Sequence, residues 1–205
     1  MFNNIKEDLK LFNEVVDIFL HDEQVNPISE NIKIKDLYNK LDLSLSEKPA
    51  IQKEFISTLK KLVLATPKSS SKLFFNQLFG GRHSKAVLGD LLAVLLNNSM
   101  ATYKISGPQV AVEKEILTKV CSLIGYPNKK AGGTFPTGGS MSNFMSLIIA
   151  RDQKNNEIAN KGFRQNLIAY TSENAHYSLA KNASFSGLGR DNVRYIKTNK
   201  KGEMC

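Results

Sequence analysis

Gly132-Gly133-Thr134-Phe135-Pro136-Thr137-Gly138-Gly139-Ser140 is the stretch on which the fold turns. Glycine lets a backbone take positive φ and come close to a ligand. The residues that follow, 140–152, have a helical pattern. A helix starting at Ser140 offers unpaired N–H groups and a partial positive charge, which suit a phosphate dianion. The Ser140 hydroxyl could add a hydrogen bond. The spacing is wrong for the dinucleotide fingerprint Gly-x-Gly-x-x-Gly. Gly133, Gly138 and Ser140 match three fixed positions of the nucleotide P-loop, but Gly139 stands where that loop carries lysine. A ligand with one phosphate therefore fits better than a triphosphate. On the loop alone, a glycine-rich turn with no ligand is an open alternative.

Downstream, residues 166–171 (Asn-Leu-Ile-Ala-Tyr-Thr) read as a buried strand. A helix follows from near Tyr177 to Phe185, ended by Gly187 and Gly189. Residues 193–197 read as the next strand and 199–202 as a turn. Helix, strand, helix, strand is the order of an α/β fold with a mainly parallel sheet covered by helices. Upstream the texture is helical. Ile5, Leu9, Phe12, Val16 and Phe19 recur every three or four residues, with Asn3 or Asn4 as a cap. A weaker helix is expected over 32–41, and another over 48–64 with Ile51, Phe55, Leu59 and Leu62 on one face. These stripes need partners, within the chain or on a second subunit. Residues 67–72 read as a Ser- and Lys-rich linker, and 85–97 as a mostly buried helix. Pro108 suits the first turn of a helix running to about Ile124. No internal repeat or low-complexity region is seen.

A hydrophobic fraction of 41% and a charged fraction of 23% are those of a soluble globular protein. The longest strongly apolar stretch, residues 91–96, is far short of the roughly 20 residues a membrane helix needs. Acidic residues within the first ten positions speak against a secretory signal. Cys121 and Cys205 are the only cysteines, which is no disulfide framework and suits a cytoplasmic location. The net charge of +9 is uneven: residues 128–205 hold 12 Lys or Arg against 5 Asp or Glu. These charges are scattered and not interleaved with aromatics, so a solvated surface is expected rather than a nucleic-acid or lipid interface.

His176 follows Ser172-Glu173-Asn174-Ala175 directly after the second-to-last strand. Ligands of α/β sheets sit beyond the carboxyl ends of strands. The imidazole is thus placed where it could stack on a ligand's ring and move protons; a helix-start histidine bonded to the backbone is the alternative. His21 and His83 lie in charged or polar surroundings. No second histidine or cysteine stands at zinc spacing, and no Gly-x-Ser-x-Gly elbow is present.

Five segments together resemble a known family: 74–78 (Phe-Phe-Asn-Gln-Leu), 98–105 (Asn-Ser-Met-Ala-Thr-Tyr-Lys-Ile), 138–143 (Gly-Gly-Ser-Met-Ser-Asn), 171–178 (Thr-Ser-Glu-Asn-Ala-His-Tyr-Ser) and 187–193 (Gly-Leu-Gly-Arg-Asp-Asn-Val). They occur in the order and at the spacing of the pyridoxal-phosphate-dependent amino-acid decarboxylases, nearest to the glutamate and cysteine-sulfinate branch. The resemblance covers about residues 73–204. It implies an N-terminal helical dimerisation segment, 1–66, followed by the incomplete large domain of a fold-type-I pyridoxal-phosphate enzyme, 67–205. It implies pyridoxal 5'-phosphate as cofactor and a homodimer when complete. By motif, Gly139 and Ser140 would hold the phosphate, Asn143 would support that loop, and His176 would stack on the pyridine ring. Gln77 lies in the segment that reaches toward the distal acid group of an acidic substrate. Phe79 stands where the glutamate enzymes carry a small hydroxyl residue and the cysteine-sulfinate enzymes a bulky aromatic one. That tilts the expected substrate toward a shorter acid, cysteine sulfinate or aspartate.

By the same resemblance, the cofactor lysine and the aspartate that pairs with the pyridine nitrogen would lie beyond Cys205. The 205 residues are therefore expected to be an N-terminal fragment without decarboxylase activity alone. An aromatic or diamino-acid decarboxylase of the same family is the near alternative. A non-catalytic remnant of the fold, acting by binding or dimerisation, is the more distant one.

Overall fold

The computed structural model describes residues 5–30, 32–44, 46–75, 78–127, 131–163 and 167–205. Among these the chain divides into two compact units, Met1–Asn98 and Ser99–Cys205.

In the first unit the N-terminal stripe forms α1 (Ile5–Val25), with Glu7 and Asp8 in the first turn where they complement the helix dipole. Its partner is α3 (Gln52–Ala65). The Glu54 carboxylate accepts the Ile51 N–H at 3.4 Å and closes the start of α3. Val15 is buried, yet Ile5, Leu9 and Phe12 stay 54%, 45% and 43% exposed, so the pair covers only part of the stripe. The weak helix expected over 32–41 is a 3-10 turn, Ile34–Asp36, running into a single α-turn, α2 (Leu37–Lys40).

Two expectations need correction here. Residues 67–72 are no loose linker. Lys68 is 3% exposed; its Nζ lies 2.6 Å from Asp22 Oδ2 and donates to the Pro27 carbonyl at 2.9 Å, and its N–H donates to the Ile28 carbonyl at 2.8 Å. A side chain with a four-carbon stem can bury itself if a carboxylate meets its end. The second correction concerns α4 (Ser84–Leu96). It was expected to be mostly buried, but all 13 residues are exposed. A helix apolar on every side needs cover on every side, and the described residues of its unit supply none.

Lys68 also holds the Asp22 carboxyl below its ordinary range, chiefly through the hydrogen bond it donates. A carboxylate with a depressed folded-state pKa adds stability above its unfolded pKa, and that stability is lost as pH falls through the folded one. Lys68→Met is expected to destabilise the natural protein by on the order of 1–3 kcal/mol, less than for a fully buried pair because Asp22 keeps contact with water. Its stability should fall less steeply than wild type under acid. Urea melts at neutral pH and at pH 3 check both.

The second unit opens with α5 (Tyr103–Ser106) and α6 (Gln109–Leu123). Pro108 precedes α6, and its carbonyl accepts from Ala111 and Val112 at 3.0 and 3.2 Å. Then follow α7 (Gly139–Lys154), α8 (Ile158–Lys161), β1 (Ala169–Ser172), α9 (Ser178–Phe185) and β2 (Val193–Ile196). β1 and β2 pair in parallel, Ala169 opposite Val193 and Ser172 opposite Ile196. A parallel pair needs a crossover, and α9 provides it. Ala183, Leu188 and Val193 form the core, with Leu147, Phe163, Leu167 and Ala169 packed against it. Gly187 takes φ +79°, and a Cβ there would stand 3.2 Å from the Phe163 ring, so this bend admits only glycine. Among the described residues no helix is long and apolar enough to cross a membrane.

Candidate active site

The site is built where α7 begins and where the chain leaves β1. Gly138, just before α7, has φ +149° and ψ 165°, a conformation essentially reserved for glycine. Its carbonyl accepts from Met141 at 3.0 Å and Ser142 at 3.1 Å, which closes the first turn of the helix. The N–H groups of Gly139 and Ser140 have no acceptor among the described residues, as expected of the first turn of a helix. The Ser140 hydroxyl is likewise without a partner among them. Apart from the adjoining residues and the backbone of the helix itself, no described atom lies within 4 Å of where a Cβ of Gly138 or Gly139 would stand. No acidic side chain sits in the first turn of α7, while Arg151 and Lys154 occupy the last. Two backbone donors, a hydroxyl, open space and an uncompensated positive helix end make a donor set that fits a phosphate group.

The chain leaves β1 through a tight turn. Ala175 N–H donates to the Ser172 carbonyl, and Asn174 N–H to Ser172 Oγ, both at 3.0 Å. The Glu173 carboxylate accepts the Thr198 N–H at 2.8 Å, and the Asn174 amide donates to Thr198 Oγ1 at 2.7 Å. The turn is thereby pinned to the residues after β2. His176 follows, exposed, with the Tyr177 ring tilted 35° against it at 4.3 Å between centroids.

α7 and α9 pack on each other and bring these two pieces together. Asn182 Nδ2 donates to the Ser140 carbonyl at 2.8 Å. Asn143 Nδ2 donates to Ser178 Oγ at 2.8 Å, and Ser178 Oγ lies 2.8 Å from His176 Nδ1. Ser178 is wholly buried and Asn182 is 3% exposed. The loop that offers phosphate donors is thus hydrogen-bonded to the helix that follows the histidine.

Of the residues expected from the sequence, Gly139, Ser140, Asn143 and His176 come together in the second unit. The Asn143 side chain points to Ser178. Phe79 belongs to the first unit, 60% exposed, with the Phe74 ring edge-on at 6.1 Å. Gln77 lies outside the described residues. His21 and His83 are exposed. Ser178 and Asn182 were missed. They stand one helical turn apart, so they share a face of α9, but their partners are 35 and 42 positions away and carry no local signal. Among the described residues no cluster of His, Cys, Asp and Glu could hold a metal ion.

Residues 35–205 match the family model described as the pyridoxal-dependent decarboxylase conserved domain. The chain is 35% identical over 172 residues to the cysteine sulfinic acid decarboxylase of Homo sapiens, covering 83% of this chain and 34% of that protein. It is 32% identical over 166 residues to the acidic amino acid decarboxylase GADL1 of Xenopus tropicalis, covering 80% of this chain and 32% of that one. The crystal structure of mouse CSAD superposes with a TM-score of 0.90 at 30% identity, over 99% of this chain and 44% of that one. The chain thus spans about a third of the length of the curated relatives it matches.

Proposed function

The chain belongs to the pyridoxal-dependent decarboxylase family, and from that premise we propose that the natural protein carrying it decarboxylates an acidic amino acid with pyridoxal 5'-phosphate. The observation that carries the reading is the coupling of α7 to α9, which sets a phosphate-donor turn beside an exposed, oriented imidazole. When bound, the cofactor supplies an electron sink for the pair released as carbon dioxide departs. The residues here do the holding. The Gly139 and Ser140 N–H groups and the Ser140 hydroxyl would grip the phosphate. Asn143 would steady that loop through α9. The His176 ring would lie on the pyridine and fix its plane.

The acidic substrate class is supported by the likeness to a cysteine sulfinic acid decarboxylase and an acidic amino acid decarboxylase, and by Phe79. By the family resemblance the segment of Gln77 and Phe79 would reach toward the substrate's distal acid group, where a phenyl ring in place of a small hydroxyl residue favours a shorter acid. Residues 1–66 form a dimerisation segment and 67–205 the first part of the cofactor-binding domain of a homodimer. The two free thiols, Cys121 and Cys205, support a cytoplasmic location.

The natural protein, saturated with pyridoxal phosphate, should release carbon dioxide from cysteine sulfinate or aspartate faster than from glutamate. Phe79→Ser should move relative kcat/KM toward glutamate by roughly 10-fold or more, the scale on which pocket volume discriminates. Turnover confined to aromatic amino acids would sink the acidic-substrate reading, and absence of a bound-cofactor absorption band would sink the cofactor itself.

A further inference from the structure

We propose that Ser178 is a positioning residue that, backed by Asn143, holds His176 as one tautomer, with its ring proton on Nε2. The Ser178 backbone N–H points at His176 Nδ1 at 3.2 Å. A peptide N–H can only donate, so Nδ1 must present a lone pair and the proton must sit on Nε2. The Ser178 hydroxyl, 2.8 Å from the same nitrogen, is directed by the group behind it. Asn143 Nδ2 donates to Ser178 Oγ at 2.8 Å, leaving the hydroxyl proton for Nδ1. Asn143 amide orientation is assigned from the network, and the reverse orientation fails. It would draw the hydroxyl proton to Asn143 Oδ1 and set an oxygen lone pair against the nitrogen lone pair that the peptide N–H already requires. Only the direction Asn143 to Ser178 to His176 satisfies all three groups.

The relay is shielded where it matters. Ser178 is 0% exposed, while the imidazole it holds is exposed. Nδ1 is therefore occupied from inside, and Nε2–H, on the far side of the ring, is the one donor left for a ligand. The Tyr177 ring rests tilted against the imidazole. Resting on the proposed function, the consequence is that a ring of fixed plane and known donor meets the cofactor and substrate. Asn143 then acts on the histidine through Ser178 and not only on the phosphate loop.

The test uses the full natural protein labelled with 15N-histidine, first without cofactor and then titrated with pyridoxal phosphate. Long-range proton–nitrogen spectra distinguish the tautomers, and the signal absent from His176→Gln is His176. Wild type is expected to show the Nε2–H tautomer. Ser178→Ala should lower the ratio of Nε2–H to Nδ1–H roughly 2- to 12-fold, the worth of one hydrogen bond, and Ser178→Thr, which keeps the hydroxyl, should restore it. Should Ser178→Ala not fold, Asn143→Ala must shift the ratio in the same direction. An Nδ1–H tautomer in wild type, or a ratio unchanged in the variants, overturns the assignment. If the tautomer is as expected but pyridoxal phosphate does not move the His176 signals, the positioning role stands and the cofactor reading fails.

Discussion

Replacing His176 by asparagine in the natural protein should lower kcat/KM roughly 10²- to 10⁴-fold, the range supplied by one well-placed proton-handling group. The stability of the fold should be nearly unchanged. Asparagine is the informative substitution because its Oδ1 can take the place of Nδ1. The buried Ser178 hydroxyl and N–H then keep an acceptor while the ring is gone. His176→Ala removes ring and acceptor together. It should lose activity to the same degree and in addition lose about 1–3 kcal/mol of stability, since a shielded donor is left without a partner. Steady-state kinetics and thermal melts on the two variants separate catalysis from folding. Activity of His176→Asn within threefold of wild type would mean that the ring does not meet the cofactor.

The second unit was more legible in the sequence than the first. The readings 193–197 and 177–185 lie within one residue of β2 and α9, whereas the strand read as buried over 166–171 begins only at Ala169 and is half-buried to exposed, because the two-stranded sheet covers little of it. The glycine loop was placed against the start of α7. These elements are short, bounded by glycines, and paired with near neighbours, so local pattern and tertiary structure agree. What failed was the identity of covering groups. The apolar content of 85–97 reports that the helix needs burial, but not whether its own unit provides it, and α4 stands exposed. Lys68 failed in the other sense. The Ser- and Lys-rich composition of 67–72 reads as a linker, and only the meeting of Lys68 with Asp22, 46 positions earlier in the chain, makes its burial possible.

The site divides along the same line. Gly139, Ser140 and His176 could be picked out because loop chemistry and strand ends are written locally. Ser178 could not be given a role, although it stands two residues past His176. Its function depends on Asn143, brought over by α7, and a hydroxyl at a helix start has many ordinary uses. Polar side chains that connect helices are defined by their partners. Their roles become readable only when the packing of α7 on α9 is known.

Gly138→Ala should weaken binding of pyridoxal phosphate to the natural protein by roughly 5- to 150-fold, the equivalent of the ~1–3 kcal/mol that a non-glycine residue loses in this backbone region. No neighbour would clash with the new methyl group, so the effect must come from the backbone. At φ +149° an alanine either stays strained or relaxes, and relaxing moves the carbonyl that accepts from Met141 and Ser142. The free N–H groups of Gly139 and Ser140 would turn with it. Two further substitutions isolate this cause. Gly132→Ala lies in the same loop, away from the left-handed region and in open space, and should change neither stability nor binding. Gly139→Ala is also free of strain and of neighbours. It should leave stability alone, yet its methyl group would stand in the space a phosphate must enter, so binding should weaken. Stability and cofactor affinity measured across the three give a pattern of both, neither and affinity alone. Equal affinity in all three would mean that the phosphate is held elsewhere.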